Sequence, residues 1–135
     1  MYSKEEKMIQ GVKNYSTQKK RAILWCLKLV AHADGNVTDS ELVEIMNQNL
    51  HVLNLANSEI ESMGNLKPEE FVKILNSMTQ DELFMLGFMM GRVANSDGKV
   101  HETEIEWIYK LLKAGNLNFE TITGILIGIT GLQNK

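Results

Sequence analysis

Apolar residues recur along this chain at the three-to-four-residue spacing of helices, and no segment alternates strictly for the length of a strand. The spacing predicts helices over 3–13, 16–33, 38–50, 58–64, 68–77, 79–96, 101–114 and 118–132. In the 16–33 segment, Ile23, Cys26, Leu27, Val30 and Ala33 share one face, and Leu24, Trp25 and Leu29 widen it. That helix is expected to be largely buried, with Cys26 as a structural thiol. The 79–96 segment is apolar nearly all round, which marks a central position. In the last segment Ile122, Ile125, Leu126 and Ile129 form a stripe that closes the core, while Ile127 points elsewhere. Ile127 and its neighbours then offer an alternative use, as a homodimer or partner surface. Gly124, Gly128 and Gly131 lower helix propensity there but allow close backbone approach.

Helix starts are readable as well. Ser3 with Glu6, Thr38 with Glu41, Ser58 with Glu61 and Thr79 with Glu82 all match the capping box. In that pattern the hydroxyl accepts from an orphan amide, and the carboxylate reaches back to the cap residue's own N–H. Pro68 suits a first helical position, where its missing N–H costs nothing. Lys19, Lys20 and Arg21 sit near a helix start, where the dipole disfavours cations. They read as a solvated end or as a contact patch for an acidic partner.

An internal repeat is present at an offset of 63 residues. The stretch from Val30 to Leu42 aligns with that from Val93 to Ile105, matching Val, Ala, Asp, Gly, Val and Glu. The same offset pairs Ser16 with Thr79. The fold class is therefore all-α: a bundle of about seven to eight helices built from two helix–loop–helix units, about 16–64 and 79–133, bridged by the 68–77 helix. One domain over 1–135 accommodates both units, since neither half could bury its core alone.

The shared Asp-Gly-x-Val-x-x-x-Glu element has two readings. As a helix joint, Gly35 and Gly98 supply the positive φ that ends a helix. Asp34 and Asp97 accept from loop amides. Val37 and Val100 staple the next helix, Thr38 and His101 take the cap position, and Glu41 and Glu104 fall at the third helical position. As a metal loop, the element matches the second half of an EF-hand, with Asp34 or Asp97 as the fifth ligand position and Glu41 or Glu104 as the closing carboxylate. The first half is missing, because Val30 and Val93 stand where the leading Asp belongs. A looser divalent-cation site, for Ca or Mg, would draw on Asp34, Asp39, Glu41, Asp97, Glu102 and Glu104 if the two loops met in space. Carboxylates gathered there would repel one another and favour cation binding or raised pKa values.

Two such units in an acidic, all-helical chain of this length resemble the TerB family associated with tellurite resistance. The resemblance runs from about Ser16 to about Asn134, and its signature is Ala31 through Glu41 and Ala94 through Glu104. It implies a bundle of seven or so helices with internal two-fold character. It also implies a cytoplasmic stress-response role, with peripheral association at the inner membrane face as a variant. Related domains are fused to other modules, which implies scaffolding. The family's acidic positions, proposed to bind metal, carry over to Asp34, Glu41, Asp97 and Glu104.

Composition narrows the remaining chemistry. Lys plus Arg is 14 against 17 for Asp plus Glu, so the basic footprint of a nucleic-acid binder is absent. A single cysteine rules out an internal disulfide framework and a four-cysteine zinc site. The charged start, Met1 to Lys7, has no apolar segment behind it and is not expected to act as a signal peptide. The longest apolar run, Leu83 to Gly91, is far short of the roughly 20 residues that span a bilayer. His32, His51 and His101 form no paired ligand motif, and neither a phosphate loop nor a nucleophile elbow occurs. A carboxylate-based enzyme remains as the only catalytic reading. Met85, Met89 and Met90 in the central helix, with Met46, Met63 and Met78 elsewhere, fill the core or line an adaptable protein-binding groove. The leading expectation is a cytoplasmic, non-enzymatic module for an as yet unidentified protein partner. A divalent-cation module is the alternative.

Overall fold

The computed structural model describes residues 11–33, 35, 37–56, 58, 60, 67–96 and 98–131. Every regular element among them is helical: α1 Thr17–Ala31, α2 Asp39–Gln48, a π-helical turn Asn49–Leu53, α3 Pro68–Ser77, α4 Gln80–Ala94, α5 Glu102–Ala114 and α6 Phe119–Gly131. Gly11 to Lys13 are also helical. The capping boxes expected at Ser3–Glu6 and Ser58–Glu61, and Met63, reach outside the described residues.

Local chemistry sets the helix starts. The Ser16 hydroxyl accepts from the Lys19 N–H at 3.2 Å and opens α1. Thr38 Oγ1 accepts from the Glu41 N–H, and Glu41 Oε1 accepts from the Thr38 N–H at 2.9 Å. Thr79 and Glu82 repeat this arrangement at the start of α4, with the returning bond at 2.8 Å. Pro68 occupies the first turn of α3. Asn118 Oδ1 accepts from the Glu120 N–H and caps α6.

The π-helical turn has no counterpart in the apolar pattern. Asn54 stands in the left-handed region at φ 55°, and the Asn49 side chain accepts from the Leu55 N–H at 3.0 Å. The widened turn delivers Val52, Leu53 and Leu55 to the core.

Helix α4 is central and packs on α1, α2, α5 and α6. Leu83, Leu86, Met89, Met90 and Val93 are buried, and Met85 and Met78 join them as core filling. In α1, Ile23, Cys26, Leu27 and Val30 are wholly buried, as their shared face predicts. Burial pushes the Cys26 thiol pKa far up, so the thiol stays protonated. No helix among the described residues is long and apolar enough to cross a membrane.

The glycines divide into two groups. A Cβ on Gly87 would stand 2.8 Å from Ile125 Cδ1, and one on Gly91 would stand 2.9 Å from Ile129 Cγ1. These two glycines let α6 seat on α4. Close approach was expected at Gly124, Gly128 and Gly131 of α6, yet a Cβ there would meet nothing within 4 Å. Gly115 is the tightest position: a Cβ would lie 2.5 Å from Leu83 Cδ2 and 3.2 Å from the Leu75 carbonyl oxygen. Gly115→Ala is therefore expected to cost about 1–3 kcal/mol through overpacking. Gly124→Ala, at an open helix position, is expected to stabilise by about 0.5–1 kcal/mol. Urea unfolding of the two variants checks both the sizes and the opposite signs.

Candidate functional site

The two Asp-Gly junctions were the leading metal candidates. Asp34 and Asp97 lie outside the described residues, but their surroundings are described. At the first junction His32 N–H donates to Lys28 O, Ala33 N–H to Val30 O and Gly35 N–H to His32 O. At the second, Asn95 N–H donates to Gly91 O, Ser96 N–H to Val93 O and Gly98 N–H to Asn95 O, with the same lengths pair by pair. Gly35 and Gly98 both have φ of 83°, the left-handed conformation that glycine adopts freely. Val37 and Val100 are half-buried against the core.

The closing glutamates face inward. Glu41 and Glu104 are 4% and 1% exposed. Glu41 Oε1 takes both the Thr38 N–H and the Thr38 hydroxyl, and Glu104 Oε1 takes the His101 N–H at 2.9 Å. Both carboxylates are thus engaged in closing their own helices. Asp39 and Glu102 sit exposed in the first turns of α2 and α5, where acidic residues complement the helix dipole. Among the described residues no group of three or more His, Cys, Asp or Glu side chains is arranged to hold a metal ion.

The basic start of α1 has a structural use that the local pattern did not reveal. Lys19 Nζ donates to both Glu82 oxygens, at 2.9 and 3.1 Å, and ties the first turn of α1 to that of α4. It also lies 5.9 Å from the centre of the Tyr15 ring. Burial tends to raise the Glu82 pKa. The Thr79 N–H bond and the Lys19 bond and charge outweigh that and hold the carboxyl below its usual value. Tyr15 is pushed up to about 12, first by burial and then by Glu82 and Asp81.

Two apolar surfaces remain uncovered. Helix α2 has an inverted pattern: it buries Glu41, Ile45 and Gln48 and exposes Leu42, Val43 and Met46, and Leu50 of the following π-helical turn extends the exposed stripe, all at 47% or more. Gln48 is held inside by its Nε2, which donates to the Met89 carbonyl and to Glu44. Beside this stripe a cleft of about 210 Å³ opens between α1 and α2, lined by Leu24, Leu42, Ile45 and Met46.

The second surface is a groove of about 700 Å³ between α4 and α6. Its walls are Phe84, Phe88, Ile125 and Ile129, and Gly87, Gly91, Gly124 and Gly128 also line it. Arg92, Asn95 and Ser96 lie at the end nearer the α4 C-terminus, and Glu44 lines the groove as well, its carboxylate accepting from Arg92 Nε at 3.0 Å. The nearly all-round apolar pattern of α4 predicts a central, buried helix, but Phe84 and Phe88 are 42% and 40% exposed. The apolar perimeter of α4 is wider than its four neighbouring helices cover. That excess was the available signal for a groove.

No family model, curated protein or solved structure matches the chain.

Two outcomes follow from these contacts. Glutamine can replace glutamate in a capping box. Glu41→Gln and Glu104→Gln are therefore expected to retain more stability than the corresponding Leu variants, which lose the returning bond at about 1 kcal/mol each. Urea unfolding orders the four variants. For the Lys19–Glu82 pair, the folded carboxyl ionises below its unfolded value. Its contribution is therefore complete above the unfolded pKa and is lost as pH falls through the folded one. Lys19→Met is expected to cost up to about 1 kcal/mol at neutral pH. Unfolding measured down a pH series should show that cost shrinking toward zero once Glu82 is protonated.

Proposed function

We propose that this chain is a non-enzymatic, TerB-like interaction module that docks an amphipathic helix of a protein partner on the outer face of α2. The carrying observation is the inverted pattern of that helix and the turn that continues it, with Leu42, Val43, Met46 and, in the π-helical turn, Leu50 in solvent while Glu41 and Gln48 are buried. Scattered apolar residues on a surface are ordinary, but a contiguous stripe is a feature of interaction sites. Leu42, Met46 and Leu50 recur every four residues and form a ridge about 12 Å long, enough for two turns of a partner helix. The cleft beside Leu42 and Met46 offers a place for one anchoring side chain.

The TerB-like assignment rests on the two Asp-Gly-x-Val-x-x-x-Glu elements. Helices α1 and α4 begin and end 63 residues apart, as do the starts of α2 and α5, and the junction hydrogen bonds match pair by pair. These correspondences support a duplicated helix–loop–helix unit. A cytoplasmic scaffolding role in a stress response is the reading that this resemblance carries.

Met46→Glu combined with Leu50→Glu tests the docking face. Both side chains are two-thirds exposed, so the variant is expected to keep its thermal midpoint within a few degrees. Complexes purified from the native cell at native abundance should lose a protein that the Lys110→Glu control retains. Identical complexes from wild type, variant and control would reject the α2 face as the docking surface.

A further inference from the structure

We propose that the groove between α4 and α6 is a binding site for a single acyl chain ending in a carboxylate. The proposal is independent of the α2 docking face.

The glycines that line the groove differ in what requires them. Gly87 and Gly91 are required by contacts within the chain, since Ile125 and Ile129 occupy the space a side chain would need. Gly124 and Gly128 have no such requirement, because a Cβ at either position meets nothing within 4 Å. Glycine inside a helix is unfavourable relative to alanine. Here that cost leaves an open volume above the α6 backbone, and this volume belongs to the groove.

The groove is also long for its volume. About 700 Å³ lies within the range of small-molecule sites. From Phe84 to Asn95 the groove follows α4 for about 16 Å, the length of an extended hydrocarbon rather than of a compact ring system.

Charge selects the ligand's head. The hydrocarbon walls end at Arg92, whose side chain is 57% exposed. Its Nε is engaged by Glu44, itself held by Gln48, and among the described residues the terminal N–H groups of the fork have no partner, which leaves them for a second carboxylate bridged by the same guanidinium. The Asn95 amide and the Ser96 hydroxyl donate to carbonyls of α4 itself, so the guanidinium is the cationic donor at that end. An acyl tail along Phe84 and Phe88, with its head at Arg92, matches this polarity.

The test titrates the purified full chain with saturated fatty acids from octanoate to palmitate, each below its micellar concentration, by calorimetry. Affinity is expected to rise about fourfold per added methylene until the groove is filled, and then to level off. Gly124→Leu with Gly128→Leu fills the open positions. It should abolish binding while the thermal midpoint holds or rises. Arg92→Gln should weaken fatty-acid binding by roughly tenfold and leave the matching fatty alcohol unchanged. Absence of binding to wild type, affinity independent of chain length, or unchanged binding by the double-leucine variant would each overturn the proposal. So would sedimentation showing a wild-type dimer that the double-leucine variant converts to monomer, which would make the groove an interface between copies.

Discussion

The fold depends on covering one helix that is apolar on nearly every side. Helix α4 cannot be stable with Leu83, Leu86, Met89, Met90 and Val93 in water, and four other helices arrange themselves around it. Its two glycines decide how closely α6 approaches, because Ile125 and Ile129 insert where side chains would otherwise stand. The Lys19–Glu82 bridge and the bond from Gln48 to the Met89 carbonyl then orient α1 and α2 against the same helix. Coverage stops short along Phe84 and Phe88, and the groove is the part of α4 that the chain leaves bare.

The all-helical class and most helix boundaries were legible because their causes are local. A hydroxyl, an amide and a carboxylate three residues on form a cap wherever they occur, and Thr38, Thr79, Ser16 and Pro68 act as their positions predict. The left-handed glycines at 35 and 98 were legible for the same reason. What escaped was tertiary in origin. The π-helical turn depends on the clasp between Asn49 and Leu55 and on buried Leu53, none of which shows in a periodic pattern. Lys19 looked misplaced against the dipole of its own helix because its partner lies on another. The α6 glycines invited a close-packing reading, although the contact falls on glycines of the opposite helix.

Helix capping sets the direction in which the glutamate at the third helical position turns. In this structure Oε1 of Glu41 and of Glu104 turns back to its own helix start, at the cost of burying carboxylates beside the core, and the N–H groups they accept offset that cost. The same inward turn of Glu41, with Gln48 two turns on, places polar side chains on the core face of α2. Leu42, Met46 and Leu50 are thereby directed outward. The α2 stripe and the helix cap are thus two results of one helix orientation.

Cys26 has a consequence of a different kind. It is wholly buried in the middle of α1, as part of the core, and its thiol is held protonated by burial. A thiol reagent needs both access and the thiolate, and the folded state supplies neither. Labelling of this single thiol therefore requires α1 to separate from the core. Its rate at rising reagent concentration reports how often that separation occurs in otherwise native protein, and the chain carries its own clock for the opening of its central layer.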